Sequence, residues 1–309
     1  MELMENILVT GGAGYKGSLL VHSLLSQGYH VTIMDNFMYG YESVLNFVDQ
    51  KNCTIIKKDI RNLKERDLNT YDVIFHLAGI SGYPACEANP HSAEIINVHS
   101  TKNLVGFLSK NQLIVYASTT SFYGSSGEVM NEDSIITPVS LYGITKYEAE
   151  KICMNHHNSV ALRFATLFGV SNRMRTDLLV NDFVFRAITE RSLVLFDSNS
   201  IRTYLHVKDA IKAYLMVLQQ MPQMIGQVFN VGSNEMNFSK LNLANAIKKS
   251  IDFKIIDSDL NDFDSRNFII NYDKIYDIGF CPSLTMEYGI LELKKLFSFY
   301  QPKSSFQII

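Results

Sequence analysis

Asn6-Ile-Leu-Val-Thr-Gly-Gly-Ala-Gly-Tyr-Lys-Gly17 sets a short apolar run directly against a loop with four glycines, and a stretch of helical apolar periodicity begins after it. A run that short, closed by glycine, reads as a buried strand, and the stretch beyond it as a helix. Gly11, Gly14 and Gly17 stand in G-x-x-G-x-x-G spacing. Glycine permits the tight turn and close backbone approach by which a pyrophosphate sits on a helix N-terminus. Such a loop carries weight only between a strand and a helix, with an acidic residue ending the next strand. Met34-Asp35-Asn36 supplies that residue. Asp35 is placed to accept hydrogen bonds from adenosine ribose hydroxyls, and no arginine follows closely to welcome a 2′-phosphate, so NAD is expected rather than NADP. Lys16 is unusual here, because the helix dipole disfavours a cation in the first turn. It is either a solvated surface lysine or a contact to the bound pyrophosphate.

Outward from this loop, β-branched runs alternate with helical patterns: Ile7–Val9, Val31–Met34, Cys53–Ile56, Val73–Leu77, Leu113–Ala117 and Val160–Arg163. The alternation predicts an α/β fold, a Rossmann-type doubly wound parallel sheet with helices on both faces and ligands at the strand carboxyl ends. Beyond Phe164 the pattern loosens, with helices expected near Asp177–Thr189, Asp209–Gln219 and Asn237–Ser250. The expected division is an NAD-binding domain over 1–164, to which 201–232 returns, and a smaller C-terminal substrate lobe from 165–200 and 233–309. The chain has 309 residues, 47% of them hydrophobic, which is ample for such a core.

A formal charge of -3, with lysine and glutamate scattered, offers no basic field for nucleic acid. No apolar stretch approaches the ~20 residues that span a bilayer, and a core strand begins at Asn6, leaving no room for a signal peptide. A cytoplasmic protein without a membrane partner is expected. Cys53, Cys86, Cys153 and Cys281 are far apart and form no Cys-x-x-Cys, so they read as reduced thiols and no metal site is expected.

Ser140-Leu-Tyr-Gly-Ile-Thr-Lys146 carries the chemistry. On a helix, positions i and i+4 share one face, which sets the Lys146 ammonium beside the Tyr142 phenol. A phenol is a poor base at neutral pH, and a fixed neighbouring cation favours the phenolate, making a general base for a hydroxyl proton. Seven of the nine arginines lie from Arg163 onward, and guanidinium suits bidentate phosphate recognition. For Arg173, Arg175, Arg186 and Arg191 the reading is an ordinary surface ion pair.

Together these motifs resemble the extended short-chain dehydrogenase/reductase family, in its nucleotide-sugar branch, over nearly the whole chain. Further matches are Asp59-Ile60, His76-Leu-Ala-Gly79, Asn97, Ser118-Thr-Thr-Ser-Phe-Tyr-Gly124, Arg163-Phe-Ala-Thr-Leu-Phe-Gly169, the segment Arg173–Asp182, Arg202–Asp209 and Asp264–Phe268. The resemblance implies Thr119, Tyr142 and Lys146 as catalytic residues. It implies cofactor contacts at Gly11, Gly14, Tyr15, Lys16, Gly17, Asp35, Asn36, Asp59, Ile60, Leu77, Ala78, Gly79, Asn97, Tyr142 and Lys146. Substrate contacts are expected at Thr120, Asn181, Arg202 and Arg266. Ser81 and Tyr83, in a loop Gly79–Glu87 that departs from common patterns, either touch the substrate or merely shape the loop. His76 and His206 are read as structural.

The chemistry so implied is NAD-dependent oxidation at C4 of a nucleotide-diphosphate sugar. Tyr142 takes the hydroxyl proton, Thr119 hydrogen-bonds the oxygen, and hydride leaves for the nicotinamide. Return of hydride to the opposite face makes a 4-epimerase, the leading expectation. Release of the ketone makes a 4-dehydrogenase, as in the GDP-heptose enzymes that the Arg173–Asp182 segment also resembles. A 4,6-dehydratase is disfavoured, since those enzymes resemble Thr-Asp-Glu where this chain has Thr119-Thr120-Ser121. A dinucleotide-sensing protein without catalysis is the non-enzyme alternative. By analogy with the family, helices around Ala88–Lys110 and Leu141–His157 would form a homodimer interface.

Overall fold

The computed structural model describes residues 6–125, 128–258, 260 and 266–302, so Asp264 and Ser265 of the last motif lie outside the described residues. One sheet organises the chain. Its strands are β1 (Asn6–Thr10), β2 (His30–Asp35), β3 (Cys53–Lys57), β4 (Val73–His76), β5 (Leu113–Thr119), β6 (Ser159–Phe164) and β7 (Gln227–Val231). They lie in the order β3-β2-β1-β4-β5-β6-β7, every neighbour parallel.

Helices cover both faces, so the central strands have no wet side and read as continuous apolar runs rather than alternating ones. All residues of β5 and β6 are buried. Ile7, Val9, Ile33, Phe75, Val115 and Leu162 meet the helices Gly17–Ser26 and Val207–Gln219 on one face. Leu8, Met34, Ile74, Ile114 and Tyr116 meet Leu104, Ala149 and Cys153 on the other.

After β1 the chain fills β2 and β3 on one side, then crosses to β4 on the other. Between β1 and β4, paired from Ile7 with Val73 to Thr10 with His76, the order reverses and a crevice opens at the carboxyl ends. His76 fastens this point. It is buried, its Nδ1 lies 2.8 Å from Thr10 Oγ1 and its Nε2 2.9 Å from Thr101 Oγ1. Burial pushes its pKa down to about 3, so the ring is neutral and structural.

A second apolar cluster gathers Phe168, Val184, Leu195, Tyr204, Leu243, Ile290 and Leu293. Around it stand the helices Leu179–Thr189, Lys240–Lys248 and Met286–Phe297 and two small sheets. Phe268, Ile270, Tyr272, Ile275 and Phe280 pack instead in the core of the large sheet. One local expectation fails: within Gly79–Glu87, residues Tyr83–Ala88 form a helix rather than a loop. Gly82 turns the chain at φ 108, and Pro84, in the helix's first turn, has its fixed φ preset for that position.

Candidate active site

The carboxyl ends of β1, β2, β4, β5 and β6 open into one cavity. At its floor the glycine loop is as tight as the spacing predicts. A Cβ on Gly17 would lie 2.2 Å from the Gly11 carbonyl oxygen, and one on Gly11, at φ 71, would lie 2.7 Å from the Ala78 nitrogen. The loop is also tied outward. The Tyr15 hydroxyl donates to the Gly169 carbonyl at 2.7 Å, and Ser171 Oγ donates to the Tyr15 carbonyl at 2.6 Å. These bonds bring the segment that follows β6, with its arginines, over the cavity.

At one end Asp35 accepts the Ala13 and Phe37 amides at 3.1 and 2.9 Å. Burial raises its pKa, opposed by those amides and by Arg173. Asn36 donates to Asp59 at 3.1 Å, and Arg61 holds the Asp59 carboxyl well below the usual carboxylate range.

At the other end stand Thr119, Tyr142 and Lys146. Ser140 accepts the Gly143 amide at 3.2 Å and starts the helix Leu141–Met154. Lys146 is buried against the sheet, where Nζ donates to the Ala117 carbonyl at 2.6 Å and lies 4.1 Å from the Tyr116 ring centroid. Burial lowers its pKa to about 8. Ser121 connects this end to the substrate lobe: its Oγ accepts from Thr119 Oγ1 at 3.0 Å and from Arg266. With both lone pairs engaged, the Ser121 proton is left for a ligand in the cavity.

Of the expected cofactor residues, Gly11, Gly14, Tyr15, Lys16, Gly17, Asp35, Asn36, Asp59, Ile60, Leu77, Ala78, Gly79, Tyr142 and Lys146 line this cavity. Asn97 does not. It is buried in the π-helical turn Ile95–His99, where Oδ1 accepts from the Ile80 amide at 2.8 Å and Nδ2 donates to the Ile80 carbonyl at 3.0 Å. Asn97 therefore shapes the loop after β4. Among the expected substrate residues, Ser81, Tyr83 and Arg266 line the cavity, whereas Thr120, Asn181 and Arg202 do not. Thr120 bonds the Phe164 carbonyl, and Asn181 is fully buried between the Gly169 amide and the Arg175 carbonyl. Arg202 is buried in the strand Ile201–His206, its NH1 3.3 Å from its neighbour's carbonyl.

Tyr39, Ser121, Arg173 and Arg175 also line the cavity, although none of them was expected to touch a ligand. Arg173 overturns its reading as a surface ion pair. It is 4% exposed and stacks 4.2 Å from the Tyr39 ring centroid, and its Nε and one terminal nitrogen have no hydrogen-bond partner. Arg175 is buried too, paired with Asp177 at 2.5 Å and 3.4 Å from Ser81 Oγ. Arg186 does make a surface pair with Asp182, and Arg191 an exposed bond to the Asp252 carbonyl.

Among the described residues six basic side chains line the cavity against the two carboxylates Asp35 and Asp59, a balance that suits anions. The closed glycine turn, Asp35 at the end of β2 and the Arg173 guanidinium with two unpaired nitrogens fit a dinucleotide diphosphate. Among the described residues no cluster of three or more His, Cys, Asp or Glu could hold a metal ion, and no helix is long and apolar enough to cross a membrane.

Residues 7–232 match the NAD dependent epimerase/dehydratase family. An uncharacterized UDP-glucose epimerase of Bacillus subtilis, YtcB, is 32% identical over 251 residues, 74% of this chain and 77% of the relative. A putative UDP-glucose 4-epimerase of Methanocaldococcus jannaschii is 27% identical over 92% of this chain and 95% of its own length. The fold matches that of the UDP-glucuronic acid 4-epimerase of Bacillus cereus, solved with UDP-glucuronic acid and NAD, with a TM-score of 0.84 at 24% identity. That match covers 95% of this chain and 99% of the other.

Proposed function

The chain belongs to the NAD-dependent epimerase/dehydratase family, and from that premise we propose that it oxidises C4 of a nucleotide-diphosphate sugar and returns the hydride to the opposite face, as a 4-epimerase. The observation that carries this is Thr119, Tyr142 and Lys146 at one end of a cavity whose other end presents Asp35. Relatives named as UDP-glucose epimerases support the 4-epimerase outcome and a UDP-sugar as substrate.

NAD, when bound, supplies the acceptor for the hydride from the sugar carbon. Tyr142 takes the hydroxyl proton of the same carbon and later gives it back. Lys146, held by Ala117, provides a cation one helix turn from Tyr142 on the same helix face. Thr119, its proton turning from Ser121 to the substrate, hydrogen-bonds the sugar oxygen as it becomes a carbonyl. Arg266 reaches the substrate side, and Arg173 meets the cofactor's diphosphate beside Asp35 and Tyr39.

Dehydration has no support, since among the described residues the only carboxylates lining the cavity, Asp35 and Asp59, belong to the adenosine end. The experiment is incubation of purified protein with UDP-, GDP-, CDP- and dTDP-sugars, with and without NAD. A C4 epimer without net NADH supports the reading. Stoichiometric NADH with a 4-keto product replaces it with a 4-dehydrogenase, and no turnover of any sugar refutes both. We further propose a cytoplasmic homodimer joined through the helices around Ala88–Lys110 and Leu141–His157, to be checked by sizing in solution.

A further inference from the structure

Lys16 lies at the catalytic end of the cavity, and its role there rests on the assignment of that end to the reacting sugar and nicotinamide. From the N-cap of the Gly17–Ser26 helix its side chain reaches the last residue of β6, placing Nζ 4.5 Å from the ring centroid of Phe164 and 6.0 Å from that of Tyr214. Phe164 pairs in register with Thr119. Burial raises the pKa of Tyr214 well above the ordinary value, and Tyr142 adds to it, which sets Lys16, Tyr214 and the catalytic phenol in one neighbourhood.

The surroundings of this ammonium are uniformly unfavourable to its charge. Among the described residues its polar contacts are the two ring faces, and no carboxylate meets it. Burial, then Lys146 and then Arg175, pull its pKa below that of a free lysine in the cofactor-free protein, and the two negative charges of a bound dinucleotide's diphosphate favour the ammonium again. The helix dipole adds to the penalty. A pyrophosphate contact does not account for the placement. The Phe164 ring stands at the Thr119 end, whereas the orphaned Arg173 guanidinium stands at the Asp35 end.

We propose that Lys16 sets the redox preference of the site: its ammonium disfavours the cationic oxidised nicotinamide relative to the uncharged reduced one. Two electrons and one hydrogen nucleus leave the sugar carbon as hydride and cancel the ring's charge, while the hydroxyl proton passes to Tyr142. Lys16 exchanges nothing and is relieved of a like-charge neighbour, an interaction that scales inversely with distance and is strong where water is scarce. The ketone paired with reduced cofactor is thereby stabilised, and the hydride is held on the protein until it is returned.

Calorimetric dissociation constants for NAD and NADH test this on the wild type, Lys16→Met and Lys16→Arg. The ratio of the NAD constant to the NADH constant is expected to fall about tenfold in Lys16→Met, equivalent to about 30 mV for a two-electron couple. Lys16→Arg, which keeps the charge, is expected to restore it, and Lys16→Gln replaces the methionine variant if that fails to fold. Both constants rising by one factor would identify a pyrophosphate or packing contact, because the two forms share their diphosphate, and would overturn the proposal. An unchanged ratio overturns it equally. Wild-type protein that binds neither form refutes instead the cofactor assignment on which the proposed function stands.

Discussion

The Lys146 ammonium donates to the main-chain carbonyl of Ala117 at 2.6 Å, so the cation one helix turn beyond Tyr142 is anchored to β5 rather than hydrogen-bonded to that phenol. The anchor fixes a charge in a buried place, and burial lowers its pKa to about 8. An unfolded lysine titrates near ~10.4. Between those values the unfolded chain binds more protons than the folded one, so stability rises with pH across that window. Below pH 8 both states are charged and the burial penalty is complete. Relative to Lys146→Met, cofactor-free wild type should therefore gain stability from pH 8 to pH 10, by up to about 3 kcal/mol. Denaturant unfolding of both proteins at several pH values measures it, and a difference that stays flat with pH contradicts the assignment.

Tyr142→Phe removes the proton acceptor and little else, since the ring stays in place. Turnover on the sugar identified by screening should fall about 10²- to 10⁴-fold, the usual contribution of a general base, with NAD binding and the unfolding midpoint close to wild type. Undiminished turnover would remove Tyr142 from the mechanism.

The strands were legible because a sheet buried on both faces needs unbroken apolar runs, and six of its seven strands announce themselves that way. β7 is less evident: Gln227-Val-Phe-Asn-Val231 places Asn230 at a fully buried position. That asparagine is satisfied by distant partners: its side chain accepts from the Tyr123 hydroxyl at 2.8 Å and donates to the Asn271 carbonyl at 3.3 Å, and its main-chain N–H donates to the Glu132 carboxylate. The placement of Tyr142, Lys146 and the glycine-loop residues in one cavity was legible from spacing, because one helix turn or one tight turn fixes their geometry. Arg173 was not. Its approach to Asp35 and Tyr39 depends on the Tyr15–Gly169 and Ser171–Tyr15 bonds, contacts across about 155 residues that no local pattern encodes. For the same reason Asn181 and Asn97 resemble ligand contacts in sequence yet bond groups of the protein itself: Asn181 the Arg175 carbonyl, Asn97 the Ile80 carbonyl and the Thr145 hydroxyl.

Glu150 accepts from Arg163 Nε and NH2 and from Ser118 Oγ at 2.6–3.1 Å, with both partners of the ion pair nearly out of solvent. Breaking one partner of such a pair strands the other charge. Glu150→Ala should destabilise the fold by about 3–5 kcal/mol. Since Ser118 and Arg163 lie at the ends of β5 and β6, NAD binding should weaken as well. Chemical denaturation tests the first expectation, and a loss under about 1 kcal/mol would mean that water reaches Arg163 in solution.

Arg173 should respond with opposite signs in two measurements. In the cofactor-free protein its guanidinium is buried with two nitrogens unpaired, so Arg173→Met is expected to raise stability by about 1–3 kcal/mol, less whatever the Tyr39 stacking contributes. With NAD the same nitrogens have an anion to meet. The substitution should weaken NAD binding about 10- to 100-fold, the range of a charge-assisted hydrogen bond, and flatten its dependence on salt. Binding of free UDP should change much less, because Arg173 faces Asp35 rather than Arg266. Weakened UDP binding with NAD unaffected would transfer Arg173 from the cofactor to the substrate diphosphate, and the cavity's two anion sites would exchange their arginines.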